Sequence, residues 1–109
     1  MTTRVLTVIK ALNDSRVAIT DKTIYGLAAK LGGQVCDDWQ RTDLGPFSLE
    51  ICCALRRLAE GNYLTVKGGH YTLTKKGSNR LSQKRDQRLA DSLNELLEVA
   101  LLRFILTVE

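Results

Sequence analysis

The chain has few of the residues that build metal sites, disulfide scaffolds or rigid loops. It holds one proline, one histidine and three cysteines among 109 residues. A lone histidine cannot form a histidine cluster, and Cys36, Cys52 and Cys53 are odd in number and lack a Cys-x-x-Cys pair. These absences argue against a structural zinc site and against a secreted disulfide framework. We therefore expect no metal and no cofactor.

Long apolar runs are also missing. No run approaches the length of a membrane span. The first residues, Met-Thr-Thr-Arg-Val-Leu-Thr, lack the apolar core and cleavage site of a signal peptide. From these two absences we expect a cytoplasmic protein that does not enter a membrane.

Catalytic patterns are equally scarce. The sequence offers no nucleophile beside a base and no glycine-rich phosphate loop. Asp37 and Asp38 are adjacent carboxylates, a pair that is more often a solvated turn than a catalytic dyad. The sequence thus predicts a protein that is not an enzyme.

Positive charge is concentrated in one part of the chain. Residues 1–55 carry six basic and six acidic side chains, residues 56–88 carry nine and two, and residues 89–109 carry one and four. The segment charges of 0, +7 and −3 sum to the net charge of +4. A basic segment of this kind is typical of a phosphate-binding surface, although a solvated helix face would also account for Lys84, Arg85 and Arg88.

Apolar periodicity predicts helices on both sides of a long connection. The first helix runs from about Thr3 to Asn13, and the second from Lys22 to Leu31 with Asp21 as its N-cap. A connection over residues 34–47 follows, which we expect to be ordered and anchored by Trp39. The third helix then spans Leu49–Glu60 behind a Ser48 cap. Phe47 precedes that cap and is placed to pack on Cys52.

The basic segment itself predicts a hairpin between helices. Gly61 is expected to end the third helix in the left-handed conformation. Strands are predicted over residues 63–66 and 71–73, because Gly68-Gly69 suits a two-residue hairpin turn. Thr74 is the expected N-cap of the next helix. A winged helix-turn-helix domain has the same order of elements: helix, strand, basic turn, strand and helix. Such domains usually bind DNA. Winged-helix domains also serve as protein-interaction modules, so an interaction module is the alternative function.

The third helix is poorly suited to reading bases. Its first residues are Leu49, Glu50, Ile51, Cys52 and Cys53, which offer almost no hydrogen-bond donors. We expect Cys52 to be a small apolar core residue. A redox-sensing role for Cys36 or Cys53 would need an exposed thiol with a lowered pKa.

The last segment is predicted to be helical from about Lys75 to Thr107, with Gly77 weakening its first turn. Its second half is too apolar for the exposed helix of a monomer. We expect a homodimer through six residues on this helix: Leu89, Leu93, Leu96, Leu97, Ala100 and Phe104. The alternative is that the helix folds back on the first helix and completes a monomeric core.

Two short motifs resemble known families. Leu55, Leu58, Gly61, Tyr71, Leu73, Thr74 and Gly77 form a pattern that resembles winged-helix regulators of the MarR and PadR type. In those families the hairpin is the wing and the final helix often forms the dimer. The run Gly45-Pro46-Phe47-Ser48 is similar to one in uncharacterised prokaryotic and archaeal winged-helix proteins, where membership does not imply DNA binding.

Together these observations predict a mainly α protein with a small β-hairpin. We expect a winged helix-turn-helix over residues 1–80 and a C-terminal dimerisation helix over residues 81–109, within one domain. The expected function is that of a dimeric protein that binds double-stranded DNA, a transcription regulator. The alternative is a protein-interaction module. The predicted phosphate contacts are Arg56, Arg57, Lys67, His70, Lys75, Lys76 and Arg80.

Overall fold

The computed structural model describes the backbone of residues 1–108 and the side chains of all of these except residues 84, 85, 107 and 108. It has five α-helices: α1 (Thr2–Asp14), α2 (Asp21–Leu31), α3 (Leu49–Glu60), α4 (Lys75–Leu81) and α5 (Lys84–Val108). Four short strands form two antiparallel hairpins, β1 (Gln40–Thr42) with β2 (Gly45–Phe47) and β3 (Leu64–Lys67) with β4 (His70–Leu73). The protein is therefore mainly helical, with two small hairpins and a long C-terminal helix.

The core lies where α1 meets α2, α3 and α5. Its fully buried side chains are mostly leucine and isoleucine, including Leu6, Ile9, Ile24, Leu27 and Leu58. Helix α5 packs along both α1 and α2, so residues 81–108 share this core with the first part of the chain. Among the described residues, no helix is long and apolar enough to cross a membrane.

Side-chain caps set the starts of three helices. The Ser48 hydroxyl accepts a hydrogen bond from the Ile51 amide at 3.2 Å, and the Thr74 hydroxyl accepts one from the Gly77 amide at 3.1 Å. Both predicted caps are thus confirmed. The prediction of Asp21 as the cap of α2 is wrong, because Thr20 is the N-cap and forms a capping box with Thr23.

The connection between α2 and α3 contains regular structure. A 3₁₀ turn (Gly32–Gln34) is followed by the β1–β2 hairpin. Trp39 is half-buried against the core, and its indole Nε1 donates to the Gly32 carbonyl at 3.0 Å. Its predicted anchoring role is confirmed. Leu44, in contrast, is 96% exposed at the tip of this hairpin.

Two predictions about the chain's breaks are wrong. Asn62, not Gly61, adopts the left-handed conformation after α3, with φ of 64° against −82° for Gly61. The helix predicted from residue 75 to 107 is two helices, α4 and α5, separated at Ser82 and Gln83. This break lets α4 follow the β3–β4 hairpin while α5 packs along α1 and α2.

Cysteine placement also differs from expectation. Cys52 is exposed rather than buried in the core, because α3 buries Ile51, Ala54, Leu55 and Leu58 and Cys52 lies off that face. Cys53 is exposed as well. Cys36 is buried, which makes it a poor candidate for redox sensing.

Candidate nucleic-acid interface

The β3–β4 hairpin has one apolar and one polar face. Pairing of Leu64 with Leu73 and of Val66 with Tyr71 defines the face towards the protein. Side chains alternate along a strand, so the outer face carries the pairs Thr65–Thr72 and Lys67–His70, all four exposed. The turn between them is Gly68-Gly69, with φ of 57° and 77°. This outer face therefore carries only polar and basic groups, whereas Val66 on the other face is 52% exposed. The predicted glycine turn is confirmed.

The hairpin is fixed against the start of α2. The Tyr71 amide donates to the Ile19 carbonyl at 2.8 Å, and the Tyr71 hydroxyl donates to Asp21 Oδ1 at 2.6 Å. Burial, and then the hydrogen bond to Asp21, raise the pKa of Tyr71 above its ordinary value, so the hydroxyl keeps its proton. Thr20 also forms a β-bridge with His70. These contacts hold Lys67 and His70 in a defined position.

Helix α3 exposes a mixed surface. Its two exposed bases, Arg56 and Arg57, are balanced by two exposed acids, Glu50 and Glu60. The other exposed side chains are Leu49, Cys52 and Cys53, of which Leu49 is 58% exposed. This helix offers no asparagine or glutamine to a base edge.

The N-terminus of α3 already holds an anion. Asp38 Oδ2 accepts a hydrogen bond from the Glu50 amide at 3.0 Å, and Asp38 Oδ1 accepts one from the Ser48 hydroxyl. The Ser48 hydrogen bond, with the Glu50 amide, lowers the pKa of Asp38 below its usual 3.8. A carboxylate therefore occupies the position where a helix N-terminus would bind a phosphate.

Cys36, Asp38 and Glu50 lie close enough for their ligand atoms to fall within 4.8 Å of one another. The Cys36 thiol donates to the Ser48 hydroxyl at 3.2 Å, and burial raises the pKa of this thiol. Both oxygens of Asp38 are hydrogen-bonded. The contacts of this cluster are those of a helix cap.

The basic residues of α4 fall into two groups. Lys75 is exposed, whereas Lys76 Nζ donates to the Gly61 carbonyl at 2.8 Å and lies 4.7 Å from the centre of the Tyr63 ring. Arg80 is half-buried, and its Nη2 donates to the Thr2 hydroxyl at 2.6 Å. Its guanidinium also lies 4.9 Å from the centre of the Tyr63 ring and 3.9 Å from Asp86 Oδ2. Arg80 thus joins α4 to the starts of α1 and α5, which leaves it less accessible to a phosphate than the other predicted contacts.

Five of the seven predicted phosphate contacts are exposed without such intrachain bonds among the described residues: Arg56, Arg57, Lys67, His70 and Lys75. The side chains of Lys84 and Arg85, part of the basic segment, lie outside the described residues.

Sequence reasoning missed an apolar groove of about 1160 Å³ beside α3. Four of the six aromatic residues line it: Tyr25, Phe47, Tyr71 and Phe104. The Tyr25 and Phe47 rings lie 5.5 Å apart, and Cys52 lines the same groove. Burial raises the pKa of Tyr25, and the neighbouring Cys52 adds to this shift. Arg56 lines the groove too.

The predicted dimer residues of α5 fall on two faces. Leu93, Leu97, Ala100 and Phe104 are at most 6% exposed and belong to the chain's own core. Leu89 is half-buried, and only Leu96 is well exposed, at 43%. For these four buried residues the alternative prediction is correct, because they face α1 and α2 of the same chain. A partner molecule could therefore contact only the opposite face of α5.

Comparison with known proteins gives no relative, since no family model, curated protein or solved structure matches this chain.

Proposed function

We propose that the protein is a winged-helix protein that binds double-stranded DNA as a homodimer and regulates transcription. In this proposal β3–β4 is the wing, and its outer face contacts the phosphate backbone. The observation that carries the proposal is the face formed by Thr65, Lys67, His70 and Thr72, which exposes only polar and basic groups. Hydroxyls and cations are the groups that most often contact phosphate oxygens.

Local rigidity supports this role for the hairpin. The Tyr71–Asp21 and Tyr71–Ile19 hydrogen bonds fix β4 next to the turn, so little ordering entropy is lost when the outer face meets DNA. Lys75 follows directly at the start of α4 and extends the positive surface.

The mode of binding we propose is backbone-directed. Arg57 lies in the last turn of α3, and the N-terminus of that helix is occupied by Asp38. The exposed residues in the first half of α3 offer no bidentate donor to a base edge, and its two exposed arginines, Arg56 and Arg57, lie in the second half. Binding should therefore depend weakly on DNA sequence.

Fluorescence anisotropy with two labelled duplexes of unrelated sequence tests this proposal. Lys67→Ala should weaken binding to both duplexes by the same factor, because a phosphate contact is independent of sequence. Lys30→Ala is the matched control: it removes an exposed lysine at the end of α2, outside the basic segment, and should leave affinity nearly unchanged. Equal effects of the two variants would contradict a hairpin-centred interface.

The apolar groove favours a second candidate function, that of a protein-interaction module. An apolar groove lined by aromatic side chains is a common docking site for a helix of another protein. In that case the wild-type protein should show no salt-dependent binding to either duplex. The anisotropy titration therefore separates the two candidates.

A further inference from the structure

Helix α5 is apolar on two opposite sides. One side is the buried face that packs on α1 and α2. The other is an exposed stripe formed by Leu96, Val99, Leu102 and Leu106, whose exposed fractions are 43%, 56%, 66% and 75%. Steps of three and four residues place these side chains on one side of a helix. The stripe extends for about 15 Å, since each helical residue rises 1.5 Å.

Charged side chains of opposite sign lie at equal distances on either side of Val99 in this stripe. Glu95 lies four residues before Val99 and Arg103 lies four residues after it, and both are exposed. A two-fold axis at Val99 that relates two antiparallel helices brings position 95 level with position 103 of the other copy. It also brings Leu96 level with Leu102. Parallel helices in register would instead place Glu95 beside Glu95 and Arg103 beside Arg103, both repulsive.

We infer that the exposed stripe of α5 binds the same stripe of a second copy, in an antiparallel pair centred on Val99. The partner is another molecule of this chain because one surface supplies both the apolar contacts and the complementary charges. Each interface contains the Glu95–Arg103 pairing twice, as an isologous contact requires. Glu95 of each copy meets Arg103 of the other.

This inference rests on the proposed function for the role of the dimer, since it names the surface through which the DNA-binding protein would pair. The interface is nevertheless independent of the hairpin residues that are proposed to meet DNA. A dimer that fails to bind DNA would overturn the DNA binding of the proposed function and leave the inference standing. A monomer that binds DNA would overturn the inference and the homodimer of the proposed function, and would leave the DNA binding standing.

Charge exchange in analytical ultracentrifugation tests the pairing without DNA. Glu95→Arg and Arg103→Glu should each raise the dimer dissociation constant by about tenfold or more, because two attractive pairs become two repulsive ones. An equimolar mixture of these two variants should form a heterodimer, in which every Glu95–Arg103 position again joins opposite charges. The double variant E95R/R103E should also dimerise by itself.

Glu98→Arg is the matched control. It makes the same charge change on the same helix, at an exposed position roughly 100° away from Val99 around the axis. It should leave the dissociation constant unchanged, and circular dichroism should show that every variant keeps its helix content. A monomeric wild-type protein would overturn the inference. So would single variants that dimerise as the wild type does, or variants that fail to associate when mixed.

Discussion

Gly77 marks the place where the start of α4 presses against the start of β3. A Cβ at this position would lie 2.8 Å from Leu73 Cδ1 and would meet the Tyr63 carbonyl oxygen well inside contact distance. That oxygen cannot easily move, because it accepts a hydrogen bond from the Thr74 amide at 3.2 Å and shares the Thr74 hydroxyl, at 3.0 Å, with the Asn62 carbonyl at 2.7 Å. The absence of a side chain at position 77 therefore lets the hairpin and α4 come together.

Two effects of Gly77→Ala oppose each other. Alanine in a helix is favoured over glycine by about 1 kcal/mol. Forcing a methyl group into a packed site costs about 1–3 kcal/mol, and weakening the two hydrogen bonds of the Tyr63 carbonyl adds about 1 kcal/mol each. The steric and hydrogen-bond costs together exceed the helix gain, so we expect a net loss of about 2–4 kcal/mol in the free energy of unfolding.

Urea denaturation followed by circular dichroism measures this change. Asn79→Ala is the control, because it introduces alanine at an exposed position of the same helix and should raise the free energy of unfolding by a few tenths of a kcal/mol. If Gly77→Ala stabilises the protein as Asn79→Ala does, the close approach of α4 to β3 is wrong.

Two further changes test the connection between α2 and α3. Trp39→Ala should cost about 2–4 kcal/mol, since it removes a half-buried ring and the hydrogen bond to Gly32; native tryptophan fluorescence that iodide quenches freely would contradict this packing. The lowered pKa of Asp38 means that the folded state favours the ionised carboxylate. The stability that this carboxylate adds is fully present above the usual pKa of 3.8, and it is lost as the pH falls through the lower pKa of the folded state. Thermal denaturation should therefore show that the wild type loses stability below about pH 4 and that Asp38→Asn loses less. If the two proteins lose the same stability in acid, Asp38 does not cap α3.

Local signals in the sequence were sufficient for some features of the fold. Ser48 and Thr74 cap helices because their hydroxyls reach an amide three residues ahead, which depends only on neighbouring residues. Gly68-Gly69 makes a hairpin turn for the same kind of reason.

Features that depend on tertiary packing were not predictable. Asparagine can adopt a positive φ, as glycine can. The sequence Gly61-Asn62 therefore does not indicate which of the two residues takes the left-handed conformation after α3. Gly61 has a different constraint, because a Cβ there would lie 2.8 Å from the ring of Tyr63. Helix α5 is apolar on both sides, so its periodicity could not tell which side faces the core.

The sequence likewise predicted only part of the candidate site. Charge counting located the basic segment, but not that Arg80 bonds within the chain while Lys67 points outward. The first hairpin was missed because Gln40, Arg41 and Thr42 are all exposed and show no alternation of apolar and polar residues. The groove brings together aromatic residues from distant parts of the chain, and no local pattern indicates it.

The dependence of DNA affinity on salt tests the proposed function most directly. A protein that binds through phosphate contacts loses log affinity linearly with log salt concentration. We expect a steep negative slope for the wild type, equal on two duplexes of unrelated sequence, and a slope reduced by about two per DNA-bound protomer in the Lys67→Ala, Lys75→Ala double variant. A slope near zero, or one that the double variant leaves unchanged, would contradict backbone-directed DNA binding by the hairpin.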